Sequence, residues 1–155
     1  RIIVCDLDMR RPTMAKVMGH KDVHSFSSVL EGKVSFGEQA VAFSSSVALA
    51  MNYAPARDPS ELILQDRMTD ILQEIDDTYQ PDLMIFDTPP LMASDDTLAV
   101  LRHVDGALLI AAAEATTIDQ FDICEKDLAN HTNVVGVVVN KCRYSDPNYG
   151  YEYGY

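Results

Sequence analysis

Two short acidic loops carry the residues of this sequence best suited to chemistry. Ile2-Ile3-Val4-Cys5 runs into Asp6-Leu7-Asp8-Met9-Arg10-Arg11-Pro12, and Leu83-Met84-Ile85-Phe86 runs into Asp87-Thr88-Pro89-Pro90. An apolar run this short, closed by an acid and then a proline, predicts a buried parallel strand. Ligands of open α/β sheets sit beyond the carboxyl ends of such strands. Three carboxylates at one sheet edge with two arginines beside them suit Mg²⁺ and phosphate better than an apolar ligand. For a single loop, capping of the following helix would explain the aspartates as well. Two loops of one design favour a functional edge.

The elements that must position these loops follow from the hydrophobic pattern. Strands are expected at Ile2–Cys5, Val47–Met51, Leu83–Phe86, Ala107–Ala112 and Val134–Val139. Between them, Asp66–Thr78 has helical periodicity, with Leu64, Met68, Ile71, Leu72 and Ile75 on one face behind a Ser60 N-cap. Further helices are expected over Asp95–His103 behind Ser94, and over Ile118–Ala129 behind Thr117 with Phe121, Cys124 and Leu128 inward. Residues 12–43 predict short helical pieces at Thr13–Met18, Phe26–Leu30 and Phe36–Ala42. Alternating strands and helices imply an α/β three-layer fold around a largely parallel sheet.

Composition narrows the classes. A net charge of −12 argues against a nucleic-acid surface, which needs a basic face. Cysteines 5, 124 and 142 and histidines 20, 24, 103 and 131 are scattered without metal-ligand spacing, and reduced thiols are the expected state. No run approaches the ~18 apolar residues of a membrane span. The last residues differ in kind: RYSDPNYGYEYGY holds five of the seven tyrosines and no aliphatic side chain, which predicts a flexible tail over 144–155 after a domain over 1–143. The sequence opens on Arg1 inside a core strand, and it contains no G-x-x-x-x-G-K-[ST]; Gly32-Lys33 leads into Val34. The expectation is that a phosphate-binding P-loop with its strand and helix precedes Arg1.

The chain resembles the cytoplasmic kinase domain of the bacterial tyrosine kinases (BY-kinases) of exopolysaccharide and capsule export, within the MinD/ParA-like deviant P-loop ATPases. VCDLDMRRP is similar to their Walker A′ motif and LMIFDTPP to their Walker B motif. Pro59-Ser60-Glu61-Leu62 with Arg67-Met68 echoes the family's N-P-x-E-L-L…R-M segment, with Asp58 where Asn is usual. Ala113–Thr117 matches a strand-end segment closing on a Thr pair, with Glu114 or Ala115 at a usual glycine. Val137-Val138-Val139-Asn140 matches the strand whose terminal Asn faces the adenine, and the tail matches the autophosphorylated cluster.

The resemblance implies a P-loop NTPase-type fold and a protein-tyrosine autokinase using ATP and Mg²⁺. Asp87 and Asp6 would hold the metal, and Thr88, Pro89 and Asn140 would join Asp87 around the nucleotide. Asp6 and Asp8 would orient or deprotonate the incoming phenol. Arg10 or Arg11 would contact phosphate or a neighbour's phosphotyrosine, or else form a solvated helix start; Met9 would only pack. The acceptors would be Tyr144, Tyr149, Tyr151, Tyr153 and Tyr155. Implied partners are other copies in a ring and a membrane activator or polysaccharide co-polymerase, fused or separate, at the inner face of the bacterial plasma membrane. The alternatives are a plain ATPase switch of the same fold and a non-catalytic regulatory module of an export complex.

Overall fold

The structure, a computed structural model, describes residues 1–21 and 24–143. The tail at 144–155, with its five tyrosines, lies outside the described residues. The chain divides into two compact units, Arg1–His103 and the part from Val104 onward.

The first unit is built on β1 (Ile2–Asp6), which pairs in parallel with β3 (Val47–Ala50) on one side and β4 (Leu83–Asp87) on the other. A two-residue strand, β2 (Val41–Ala42), adds antiparallel to β3, giving the order β2-β3-β1-β4. Ile3, Cys5, Leu49 and Ala50 are buried on this sheet. Three short helices, α1 (Met14–Val17), α2 (Phe26–Leu30) and α3 (Phe36–Gln39), occupy the excursion after β1. Ser35 and Glu38 form a reciprocal capping box that starts α3. Helices α4 (Pro59–Leu64) and α5 (Asp66–Tyr79) precede β4, and α6 (Asp96–Val100) runs into a 3₁₀ turn at Leu101–His103. Met68, Ile71, Leu72 and Ile75 form the buried stripe of α5, at the i, i+3, i+4, i+7 spacing its sequence predicts.

The second unit is a βαβ pair. Strand β5 (Ala107–Ala112) runs parallel to β6 (Val134–Asn140), and α7 (Ile118–His131) connects them. Thr117 accepts from the Gln120 amide while the Gln120 side chain accepts from the Thr117 amide, a reciprocal pair that satisfies two N–H groups at the helix start.

Several expectations need correction. Ser60 is not an N-cap: Pro59 already occupies the first helical turn of α4, where its missing N–H costs nothing, so Ser60 lies inside the helix. Leu64 is 55% exposed because α4 and α5 are separate helices, which takes it off the α5 stripe. The third short helix stops at Gln39, and Val41–Ala42 extend as a sheet edge. Of the α7 residues expected inward, only Leu128 is buried. Strand β4 is not buried on both faces. It is the outer strand of its sheet, and Leu83 and Ile85 are about half exposed at 51% and 43%.

Candidate functional site

Parallel pairing of β1 with β4 sets Asp6 directly opposite Asp87. Partners in adjacent parallel strands point to the same side and lie about 4.8 Å apart along the hydrogen-bonding direction. Asp8 follows two residues later, and the Leu7 amide donates to the Asp87 carbonyl at 2.7 Å, tying the two loops together. Asp6, Asp8 and Asp87 are therefore gathered at the carboxyl edge of the sheet.

Their hydrogen bonds differ. Asp6 is buried; one of its oxygens accepts from the Asp8 amide at 3.1 Å and the other from the Asn52 amide at 3.3 Å. The Asn52 side chain donates to the Asp6 carbonyl at 2.7 Å and accepts from the Ser27 amide at 2.9 Å. Asn52 is thus a buried clamp on the first acidic residue. Asp8 accepts from the Arg11 amide at 3.0 Å through one oxygen, closing the turn that carries the arginines.

The electrostatics follow from burial and like charge. Burial, then the nearby Asp87 and Asp8 carboxylates, push Asp6 up to about 6, against the lowering effect of the Asn52 and Asp8 amides. Burial and Asp8 also raise Asp87. Among the described residues no cationic side chain forms an ion pair with any of the three. Clustered carboxylates without a counter-ion fit a divalent cation. Among the described residues no set of three or more His, Cys, Asp or Glu side chains stands in metal-ligating geometry. Mg²⁺ takes one or two carboxylates and fills its octahedron with water and substrate phosphate, and the facing Asp6 and Asp87 supply that number.

Arg10 has a different placement. Its Nε donates to Asp96 at 2.6 Å, and one terminal nitrogen donates to the other Asp96 oxygen at 3.2 Å and to Ser60 Oγ at 2.8 Å. Arg11 is exposed, and Met9 is fully buried as packing. Thr88 is half-buried; Pro89 is buried, and its carbonyl accepts from Thr97 Oγ1 at 2.7 Å. Asn140 ends β6 in the second unit, exposed, its side-chain oxygen accepting from the Lys141 amide at 2.7 Å.

Sequence reasoning missed Asn52, Asp96 and Ser60. Asn52 follows the apolar run of β3 as Asp6 follows that of β1, and that parallel was a usable signal. Asp96 sits beside Asp95 at the start of the expected Asp95–His103 helix, and nothing local tells the two apart, although only Asp96 is buried.

No protein-family model matches the chain. The putative tyrosine-protein kinase AmsA of Erwinia amylovora is 29% identical over 160 residues, which covers 97% of this chain and 21% of AmsA. The chain thus spans about a fifth of that relative's length. The kinase domain of the Escherichia coli tyrosine kinase ETK superposes with a TM-score of 0.80 at 27% identity, covering 100% of this chain and 60% of that domain. The septum site-determining protein MinD of Pyrococcus horikoshii, complexed with Mg-ADP, shares the fold at a TM-score of 0.69 and 14% identity, over 94% of this chain and 59% of its own. Motif residues, sheet register and these likenesses converge: the chain is a homologue of the bacterial tyrosine-protein kinases and has the α/β, P-loop NTPase-type fold of their kinase domain.

Proposed function

We propose that this chain is the acidic-edge part of a Mg·ATP-dependent tyrosine autokinase, with a phosphate-binding loop supplied from outside residues 1–155. The observation that carries this reading is the Asp6–Asp87 pairing, with Asp8 beside it and no ion-paired cation among the described residues. Mg²⁺, when held by Asp87 and Asp6, would neutralise charge on the transferring phosphate. Asp87 supplies the more exposed carboxylate and Asp6 the one fixed by two backbone amides.

Asp8 is half-buried, with one oxygen engaged by the Arg11 amide and the other open to an incoming phenol. A phenol has a pKa of about 10, so its proton passes to the carboxylate only as the oxygen–phosphorus bond forms and the bond to ADP breaks. The acceptors in this reading are Tyr144, Tyr149, Tyr151, Tyr153 and Tyr155. Phosphorylation would add about −2 per tyrosine and oppose assembly of copies that already carry −12 each. Ring-like self-assembly, a membrane activator, action at the inner face of the plasma membrane and control of exopolysaccharide or capsule export belong to the same proposal.

The test separates metal binding from transfer in the full-length protein. Asp87→Asn is expected to weaken Mg·ATP binding. Asp8→Asn is expected to slow autophosphorylation about a hundredfold or more while changing ATP affinity little, as general-base removal does. Wild-type rates in both variants would reduce the acidic loops to helix caps.

A further inference from the structure

Asp96 stands outside the acidic edge, yet it is the most heavily hydrogen-bonded carboxylate among the described residues of the first unit. Its side chain is 3% exposed. One oxygen accepts from Arg10 Nε at 2.6 Å; the other accepts from an Arg10 terminal nitrogen at 3.2 Å and from Ser60 Oγ at 2.6 Å. Ser60 Oγ in turn accepts from Arg10 at 2.8 Å. Three side chains from three elements close on each other: the loop after β1, helix α4 and the start of α6.

A surface cap would not be built this way. Burial acts to raise the Asp96 carboxyl, but bonds from Arg10, Ser60 and Ser94 outweigh it and hold the group below the usual carboxylate range. It therefore stays ionised, and a buried ionised carboxylate persists only where its partners are fixed. Arg10 is fixed in return by a two-point fork whose geometry a lysine could not reproduce. The Arg10 backbone lies two residues from Asp8, and the neighbouring Met9 carbonyl accepts from the Ala56 amide at 2.9 Å. The loop bearing Asp8 is thus held at its far end by the Asp96 latch and at its near end by β1.

We propose that Asp96, with Ser60, is a positioning residue that holds Arg10 and thereby sets the place of Asp8 at the acidic edge. The latch touches neither metal nor phosphate; it acts through the loop. The same contacts link the two acidic loops, because α6 follows the Asp87-Thr88-Pro89-Pro90 turn and Thr97, beside Asp96, holds the Pro89 carbonyl. The latch thus adds a side-chain link between the loops of Asp8 and Asp87 to the backbone bond from Leu7 to Asp87. This proposal rests on the tyrosine-kinase reading, and the test keeps the two apart.

The experiment uses the full-length protein with Mg·ATP and measures autophosphorylation rate, ATP KM and melting temperature for Asp96→Asn, Arg10→Lys, Ser60→Ala and the Asp96→Asn/Arg10→Lys double variant. Asp96→Asn keeps shape and removes charge; Arg10→Lys keeps charge and removes the fork. Each is expected to slow transfer about tenfold to a hundredfold, since displacement of about 1 Å in a reacting group has that effect, with ATP KM changed less than about twofold. The double variant is expected to be no slower than the slower single, as for residues acting as one unit. Ser60→Ala, which leaves the charge pair in place, is expected to slow transfer a few-fold without loss of melting temperature, so the proposal remains testable if Asp96→Asn folds poorly. Multiplicative losses in the double variant, loss of ATP affinity in step with rate, or wild-type rates in Ser60→Ala and Arg10→Lys would each overturn it. A wild-type protein that transfers no phosphate to tyrosine would overturn the kinase reading, and the latch proposal with it. An active wild type with indifferent variants would overturn the latch alone.

Discussion

At the residue scale, Asp6 is the most informative side chain. Its two oxygens accept different backbone amides, so an asparagine there would set its NH₂ against an N–H donor, and substitution is a poor probe. Titration is a better one. Its folded value, about 6, lies above the ordinary 3.8, so the folded state holds this proton more tightly than the unfolded chain does. The associated stability is fully present below about pH 4 and is lost as pH rises through 6, a change on the order of 3 kcal/mol in the absence of Mg²⁺. Carbon-detected NMR of the Asp6 carboxyl is expected to show a midpoint near 6 that moves down when Mg²⁺ is added, because the cation binds only the ionised form. A midpoint near 4, unmoved by Mg²⁺, would mean that the three carboxylates do not share one electrostatic site. Asp6 and Asp87 were legible in the sequence because each closes an apolar run, and Asp8 because it lies two residues past Asp6 in the same acidic loop. Asn52 carried the same local signal, an apolar run before it, but its clamp on Asp6 spans 46 positions of chain, and the role of Asp96 rests on a contact across 86.

At the element scale, strands and long helices were read closely because periodicity and caps are local. The strand β5 has the predicted bounds, and α7 starts behind the predicted N-cap Thr117. The failures came where tertiary context overrides local pattern. Val41–Ala42 look like the end of a helix until β3 offers them an edge, and β4 reads as buried until its outer position in the sheet is known. The turn after β5 carries a local conflict that both sequence and structure register. Glu114, at or next to the position where relatives were expected to carry glycine, has φ +62, the left-handed region. A residue with a Cβ is disfavoured there by roughly 1 kcal/mol relative to glycine. Its ion pair with Arg143 is long, at 4.0 Å, and exposed, which offsets little of that. Glu114→Gly is therefore expected to raise the unfolding free energy by up to about 1 kcal/mol, read as an increase of a few degrees in melting temperature. A decrease would show that the Glu114 side chain makes a contact worth more than the strain.

At the scale of the whole molecule, the outer strand of the first unit is the feature that most needs explanation. β4 offers an unpaired edge and half-exposed Leu83 and Ile85, and the second unit exposes Ile110, Val137 and Val139. Bare strand edges with apolar side chains invite pairing with another chain. The isolated 155-residue chain is expected to self-associate in light scattering, less so as Ile85→Lys, and to show no Mg²⁺-dependent ATP hydrolysis, since it lacks the glycine loop and lysine that cradle phosphates. A monodisperse, ATP-hydrolysing monomer would contradict both expectations. Among the described residues no helix is long and apolar enough to cross a membrane.

In the proposed function an acidic sheet edge moves phosphate from ATP to tyrosines of the same protein. Its most direct test is mass spectrometry of the full-length protein after incubation with Mg·ATP, beside Asp87→Asn. Phosphate is expected on Tyr144, Tyr149, Tyr151, Tyr153 and Tyr155, little on Tyr53 or Tyr79, which belong to the packed first unit, and almost none anywhere in Asp87→Asn. Phosphate chiefly on Tyr53 or Tyr79, or an ATP-hydrolysing protein with no phosphotyrosine, would contradict it and favour a plain ATPase switch built on the same fold.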